Sequence, residues 1–160
     1  MNRIKIFDVF SGIGALVQAH KELGVPIETV AISEIDIDAI ISYASIHIDN
    51  FESIEFKYLT EDEMRKLLID KNIGYSYEKK KSSIPRMRKD KLYKLYKASV
   101  LLNNLGDITK IDYNKIPDFD MMNFSFACTD ISKAGKQKRN EKLRWNAYKK
   151  WFICLWYKSY

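Results

Sequence analysis

The segment 121–137, MMNFSFACTDISKAGKQ, runs an apolar stretch into a cysteine and then into a polar stretch with glycine, serine and lysine. Cys128 is a candidate nucleophile: the thiolate is the attacking form, and Lys133 and Lys136 supply charge that lowers a thiol pKa. An isolated cysteine is more often an inert buried side chain, so Cys128 needs support from elsewhere in the chain. Cys154, inside an aromatic segment, is read as inert. One support is DVFSGIG at 8–14, where a glycine pair lets the backbone turn tightly and approach a ligand near free amides. A second is a set of acids, Glu34, Asp36 and Asp107, each close to the end of an expected strand. Carboxylates there can accept hydrogen bonds from the two hydroxyls of a ribose, and Ile35 between the first two can pack on an adenine face. The loop carries no Lys or Arg for a diphosphate and is not a full G-x-G-x-x-G, so the residues fit an adenosyl ligand better than a phosphate.

These residues need a scaffold that brings strand ends together. Residues 4–10, IKIFDVF, alternate and read as a strand. Residues 15–24 read as a helix with Leu16, Ala19, His20 and Leu23 on one face, stopped by Gly24 and Pro26. Residues 28–36 read as a second strand and 38–48 as a second amphipathic helix. Thr60 and Glu63 form a capping box for a third helix with Met64, Leu67 and Leu68 as its stripe. A basic insert over about 76–98 opens as a loop around Ser82, Ser83 and Pro85. It continues as a helix with Leu92, Leu95, Tyr96 and Ser99 on one face. Residues 119–127 are apolar throughout, as in a central parallel strand, and serve as the fourth strand. The β-α-β-α order predicts an α/β fold with a parallel sheet, half of a doubly wound one.

Composition narrows the partners. The 160 residues suit one domain, 46% hydrophobic and 30% charged, with no apolar run long enough for a membrane span. The N-terminus lacks the apolar core of a secretory signal. Two cysteines and two histidines give neither a disulfide framework nor a metal site, so the reading is a reduced, cytoplasmic protein. The net charge is +6, but 78–97 holds nine Lys/Arg against two acids and 131–160 nine against one. The rest of the chain is therefore at −9, and such basic segments suit a polyanion partner or a solvated face.

In order, DVFSGIG, SEID, GDIT and SFACTDISKAGKQ resemble the DNA cytosine-5 methyltransferases of the restriction–modification type, over residues 4–138. The resemblance implies a Rossmann-like fold dependent on S-adenosyl-L-methionine and a double-stranded DNA substrate whose target cytosine is flipped out. It implies that Phe10, Ser11, Gly12, Ile13 and Gly14 wrap the methionine part of the cofactor and that Glu34 holds the ribose hydroxyls. Ile35 stacks on adenine, and Asp107 and Ile108 contact its ring. Cys128 is the implied catalytic nucleophile, and 129–137, with Thr129, Ser132, Lys133, Lys136 and Gln137, is the loop that closes over DNA. No metal is implied.

Two departures qualify the resemblance. Ala127 stands where the family places proline, which loosens the entry to the nucleophile. The family's later motifs, including Glu-Asn-Val and a target-recognition domain, are not found after Cys128. The expectation is therefore a methyltransferase region at 1–138 and an aromatic, basic tail at 139–160. That tail is read as a short helix against the sheet or as frameshifted sequence. The chain alone is expected to be truncated and inactive. The alternatives are a non-catalytic cofactor-binding remnant, the N-terminal half of a split enzyme completed by a C-terminal half, and, less favoured, a nicotinamide-dependent Rossmann protein.

Overall fold

The computed structural model describes residues 3–124. Strand β1 (Ile4–Val9) lies at the centre of a parallel sheet, with β2 (Ile27–Ser33) on one side and β5 (Met121–Phe124) on the other. Asn104 adds a parallel bridge to Ile32, and Leu105 N–H donates to Ile32 O at 2.9 Å, so 104–105 extends the sheet beyond β2. Ile6, Phe7, Asp8 and Val9 are all buried, because a central parallel strand is covered on both faces. The alternation expected for β1 is thus replaced by continuous burial. The strand also stops one residue early, since Phe10 turns into the left-handed region at φ 52°.

Helix α1 (Ala15–Glu22) follows β1, and α2 (Ile37–His47) follows β2. The expected face of α1 is not the buried one. Val17 is buried, whereas Leu16, Ala19 and Leu23 are exposed. The helix has only two turns and meets the sheet over a single residue, too little for a full apolar stripe. Helix α3 (Glu61–Asp70) carries the capping box: Thr60 Oγ1 accepts from Glu63 N–H, and the Glu63 carboxylate accepts from Thr60 N–H at 2.9 Å. Met64 and Leu68 are buried and Leu67 is exposed.

The insert is more ordered than a loop. Strands β3 (Tyr75–Ser76) and β4 (Lys81–Ser82) pair antiparallel as a hairpin, and α4 (Lys89–Leu101) follows. Helix α4 packs on α2 and α3 and buries Leu92, Leu95, Tyr96 and Ser99, the expected face. These side chains join Ile32, Ile40, Tyr43, Phe51, Met64 and Leu68 in one core. Lys97 is also buried: its ammonium donates to Ile54 O at 2.7 Å and lies over the Phe51 ring. Among the described residues, no helix is long and apolar enough to cross a membrane.

Candidate functional site

In a right-handed βαβ unit the carboxyl ends of neighbouring strands open onto one crevice. Here β1 delivers the turn at 10–14 and β2 delivers Glu34, directly past its last residue. The two meet: Gly12 N–H donates to Glu34 Oε2 at 2.9 Å. Glu34 Oε1 accepts from its own following amides, Ile35 N–H and Asp36 N–H, both at 2.8 Å. A carboxylate offers about four acceptor positions. Three are filled, and the fourth, on Oε2, remains for an outside hydroxyl. Asp36 has a different task. It is the N-cap of α2, where its Oδ1 accepts from Ala39 N–H at 2.8 Å.

The turn itself is built by unusual backbone. Phe10 adopts the left-handed region, costly for a bulky residue and typical of sites that surroundings hold in place. Its amide is fixed on Ser33 O at 2.9 Å and its ring stacks edge-on against Phe124 at 5.4 Å. Gly12 has φ 53°, and a Cβ there would meet nothing within 4 Å, so open space lies above the turn. Gly14 has φ 82°, and a Cβ there would lie 2.3 Å from His47 Nε2 and 2.7 Å from the Tyr43 ring. Ser11 Oγ is buried and has no hydrogen-bond partner among the described residues. An unpartnered hydroxyl beside open space and a free carboxylate position fits a polar ligand seated on this turn. Ile13 is exposed.

Asp107 sits in the next segment and is held differently. Its Oδ2 accepts from Asn72 Nδ2 at 2.8 Å and from the Tyr77 hydroxyl. Its Oδ1 accepts from Thr109 N–H at 3.0 Å and Thr109 Oγ1 at 2.8 Å. Burial raises its pKa, but the donors from Tyr77, Asn72 and Thr109 outweigh that and hold it below the ordinary 3.8. All four acceptor positions are thus taken within the fold, and Ile108 beside it is buried.

Three residues that build this edge were not singled out in the sequence. Asn104 is fully buried; its Oδ1 accepts from Glu34 N–H at 3.2 Å and Gly106 N–H at 2.9 Å, and its Nδ2 donates to Glu34 O at 3.0 Å. It fastens the end of β2 to the Gly106–Asp107 segment. Asp8 is buried in β1 under the turn, where the Tyr43 hydroxyl donates to its Oδ2 at 3.3 Å. Burial pushes its pKa up to about 7 against the hydrogen bonding of Tyr43 and the nearby Asn123 amide, and the Glu34 charge raises it further. Asn123 Nδ2 has no hydrogen bond of good geometry, so its influence is that of a nearby dipole. His47 supports the turn from below: Nε2 lies 3.1 Å from Ile13 O and donates to it when Nδ1 accepts from Lys21 Nζ. Burial and the Lys21 charge hold its pKa below 6.5. An acid inside an apolar strand was the available signal for Asp8; Asn104 and His47 gave none.

A cavity of about 280 Å³ is lined by Arg3, Lys21, Thr29, Tyr43 and His47 among others, and by none of the residues of the turn itself. Among the described residues no group of three or more His, Cys, Asp or Glu is placed to hold a metal. Cys128, Thr129, Ser132, Lys133, Lys136 and Gln137 lie outside the described residues.

A parallel α/β sheet whose first strand carries a glycine turn, clasped to an acid at the end of the second, defines a partial Rossmann-like fold of the S-adenosylmethionine-dependent methyltransferase type. The C-5 cytosine-specific DNA methylase family model matches residues 71–148. Over 135 residues the chain is 39% identical to the type II methyltransferase M2.ScrFI of Lactococcus lactis subsp. cremoris, covering 84% of this chain and 38% of that relative. Over 142 residues it is 28% identical to the orphan methyltransferase M.SssI of Spiroplasma monobiae, covering 85% of this chain and 37% of that relative. The chain is thus similar to cytosine-5 DNA methyltransferases over most of its own length, and it spans less than two fifths of the length of these two relatives.

Proposed function

We propose that this chain supplies the cofactor pocket and the nucleophile for methyl transfer to C5 of cytosine in duplex DNA, with S-adenosyl-L-methionine as donor. The observation that carries the reading is the bond between Gly12 and Glu34, which couples the methionine-side turn to the ribose-side acid across two strand ends. Bound S-adenosylmethionine would supply an electrophilic methyl group on a sulfonium. Glu34 offers its free Oε2 position to one ribose hydroxyl, and a second hydroxyl competes with Gly12 N–H. The turn at 10–14, with the unpartnered Ser11 hydroxyl, holds the methionine end, and Ile35 packs on the adenine. Ile108 joins Asp107 at the adenine edge. The Asp107 carboxylate accepts from adenine only by releasing Tyr77 or Asn72.

Cys128 acts on a cytosine flipped out of the duplex. Its thiolate would add to C6 and make C5 nucleophilic toward the donor's methyl carbon, whose bond to the sulfonium sulfur breaks as the new bond forms, so that the neutral thioether leaves. Loss of the C5 proton then expels the thiolate and restores the ring. Thr129, Ser132, Lys133, Lys136 and Gln137 form the loop that closes on DNA. The reading places the protein in the cytoplasm with its substrate. A second reading is a cofactor-binding module completed by a separately supplied C-terminal half.

Titration calorimetry of the purified chain tests the cofactor assignment. S-adenosylmethionine is expected to bind and NAD is not; binding of NAD alone would overturn the reading. Incorporation of labelled methyl into duplex DNA, with and without a C-terminal half, then separates the two readings. Methylation by the chain alone, lost in Cys128→Ala, would exclude the module reading. Methylation only on adding the second half would support it.

A further inference from the structure

We propose that the β3–β4 hairpin and the turn after it form a sequence-independent contact for the phosphate backbone of duplex DNA, separate from the catalytic loop. The surface is Lys79, Lys80 and Lys81 on the hairpin, with Arg86 and Arg88 just before α4. The proposal rests on the DNA-methyltransferase reading and adds to it a surface outside the catalytic machinery.

The structure sorts the nine basic residues of 78–97 by task. Lys97 is internal and bonded to backbone carbonyls. Lys89, Lys91 and Lys94 are neutralised by Glu61, Asp38 and Glu52 respectively. The other five are exposed, and among the described residues none of them forms an ion pair. Three acids are engaged by α4, and the hairpin and the turn after it carry these five cations against one acid, Glu78. Solvated lysines on a floppy loop would be the ordinary alternative, but this loop is pinned. Gly74 N–H donates to Ile35 O at 2.8 Å, and Ser83 N–H donates to Gly74 O at 3.0 Å. The Tyr77 hydroxyl donates to Asp107, and the Arg65 guanidinium holds the carbonyls of Ile84 and Met87. Cations on a fixed frame present a constant spacing to a polyanion and lose less freedom on binding it. Lysine and arginine side chains supply phosphate contacts that position a protein on a duplex, and those contacts carry no sequence information.

Counterion release makes the surface measurable, since each phosphate neutralised contributes about −0.9 to the slope of log K against log salt on B-form DNA. The probe is a fluorescent 30-base-pair duplex titrated with the full 160-residue chain between 50 and 200 mM salt, all roughly chosen to span that range. In a variant carrying Lys79→Gln, Lys80→Gln, Lys81→Gln, Arg86→Gln and Arg88→Gln, the slope is expected to fall in magnitude by about three to five, with affinity down at least about tenfold. S-adenosylmethionine affinity and melting temperature serve as controls and are expected to hold. Lysine substitutions to arginine should keep the slope. An unchanged slope, no duplex binding by the parent chain, or tighter binding to single-stranded RNA would each overturn the proposal. A parent chain that fails to bind S-adenosylmethionine yet shows the slope change would overturn the function proposed above and leave this surface standing.

Discussion

Gly12 and Glu34, 22 residues apart, are joined by a 2.9 Å hydrogen bond from the glycine amide to the carboxylate. The bond closes the gap between the ends of β1 and β2 and orients the acid before any ligand arrives. Two further amides, of Ile35 and Asp36, fix the other oxygen. An acid held this way needs no reorganisation to accept a hydroxyl.

The first prediction follows from that clasp. Glu34→Ala removes the acceptor for the ligand and leaves three amides unsatisfied, so S-adenosylmethionine affinity should fall at least about tenfold, in line with roughly 1.5–3 kcal/mol for a hydrogen bond to a charged group. Glu34→Gln keeps one acceptor oxygen but turns an amino group toward the amides, and should fall between the two. Calorimetry reads both; equal affinity for all three proteins would remove Glu34 from the site.

Gly14 provides the second. With φ 82° and His47 Nε2 at 2.3 Å from the position of a Cβ, Gly14→Ala must shift the α1 start or the Tyr43–His47 pair. A loss of about 2–4 kcal/mol is expected from strain and overpacking together. Adding His47→Ala should recover the part of the loss due to His47, and neither the contact with the Tyr43 ring nor the backbone part. Urea unfolding of the single and double variants measures this, and a single variant within about 0.5 kcal/mol of the parent would contradict it.

The third concerns pH. Asp8 has its folded pKa raised from 3.8 to about 7 by burial, so its contribution is full below about pH 4 and is lost as pH rises to about 7. Three pKa units correspond to about 4 kcal/mol across that window. Asp8→Asn stays neutral and can still accept from Tyr43, so it should flatten this part of the profile and gain on the parent most at pH 8. His47 acts in the opposite sense. Its folded pKa is lowered, so its contribution is lost as pH falls below about 6.5. Melting temperatures of parent and Asp8→Asn from pH 5 to 8 test the assignment; parallel profiles would refute it.

Asn104 carries the fourth. Its side chain satisfies Glu34 N–H, Glu34 O and Gly106 N–H in a fully buried position. Asn104→Ala orphans all three and should cost about 2–4 kcal/mol. Because the same side chain anchors Glu34, cofactor affinity should fall with stability. A variant that loses stability but binds S-adenosylmethionine normally would show that the clasp does not depend on this strut.

Much of the scaffold was legible in the chain. The Thr60–Glu63 box, the Leu92–Leu95–Tyr96–Ser99 face and the order of strands follow from capping chemistry and periodicity, which are local. The buried face of α1 was misread because two turns of mixed residues do not define a stripe, and contact with the sheet selected Val17. The hairpin at 75–82 was read as a loop because two-residue strands leave no period to detect.

The sequence by itself determined the glycine turn, the acid past the second strand and the resemblance to the cytosine-5 DNA methyltransferases. Each depends on residue types at short spacing. Tertiary structure decided which acids were free for a ligand. Asp36 was engaged as the cap of α2, Asp107 was saturated by Asn72, Tyr77 and Thr109, and Glu34 was clasped to Gly12 with one acceptor position left open. It also separated the paired and buried lysines of α4 from the five cations before it, which form no ion pair among the described residues. The reason is the same in both cases: charge is written residue by residue, but its neutralisation depends on partners brought close only by folding.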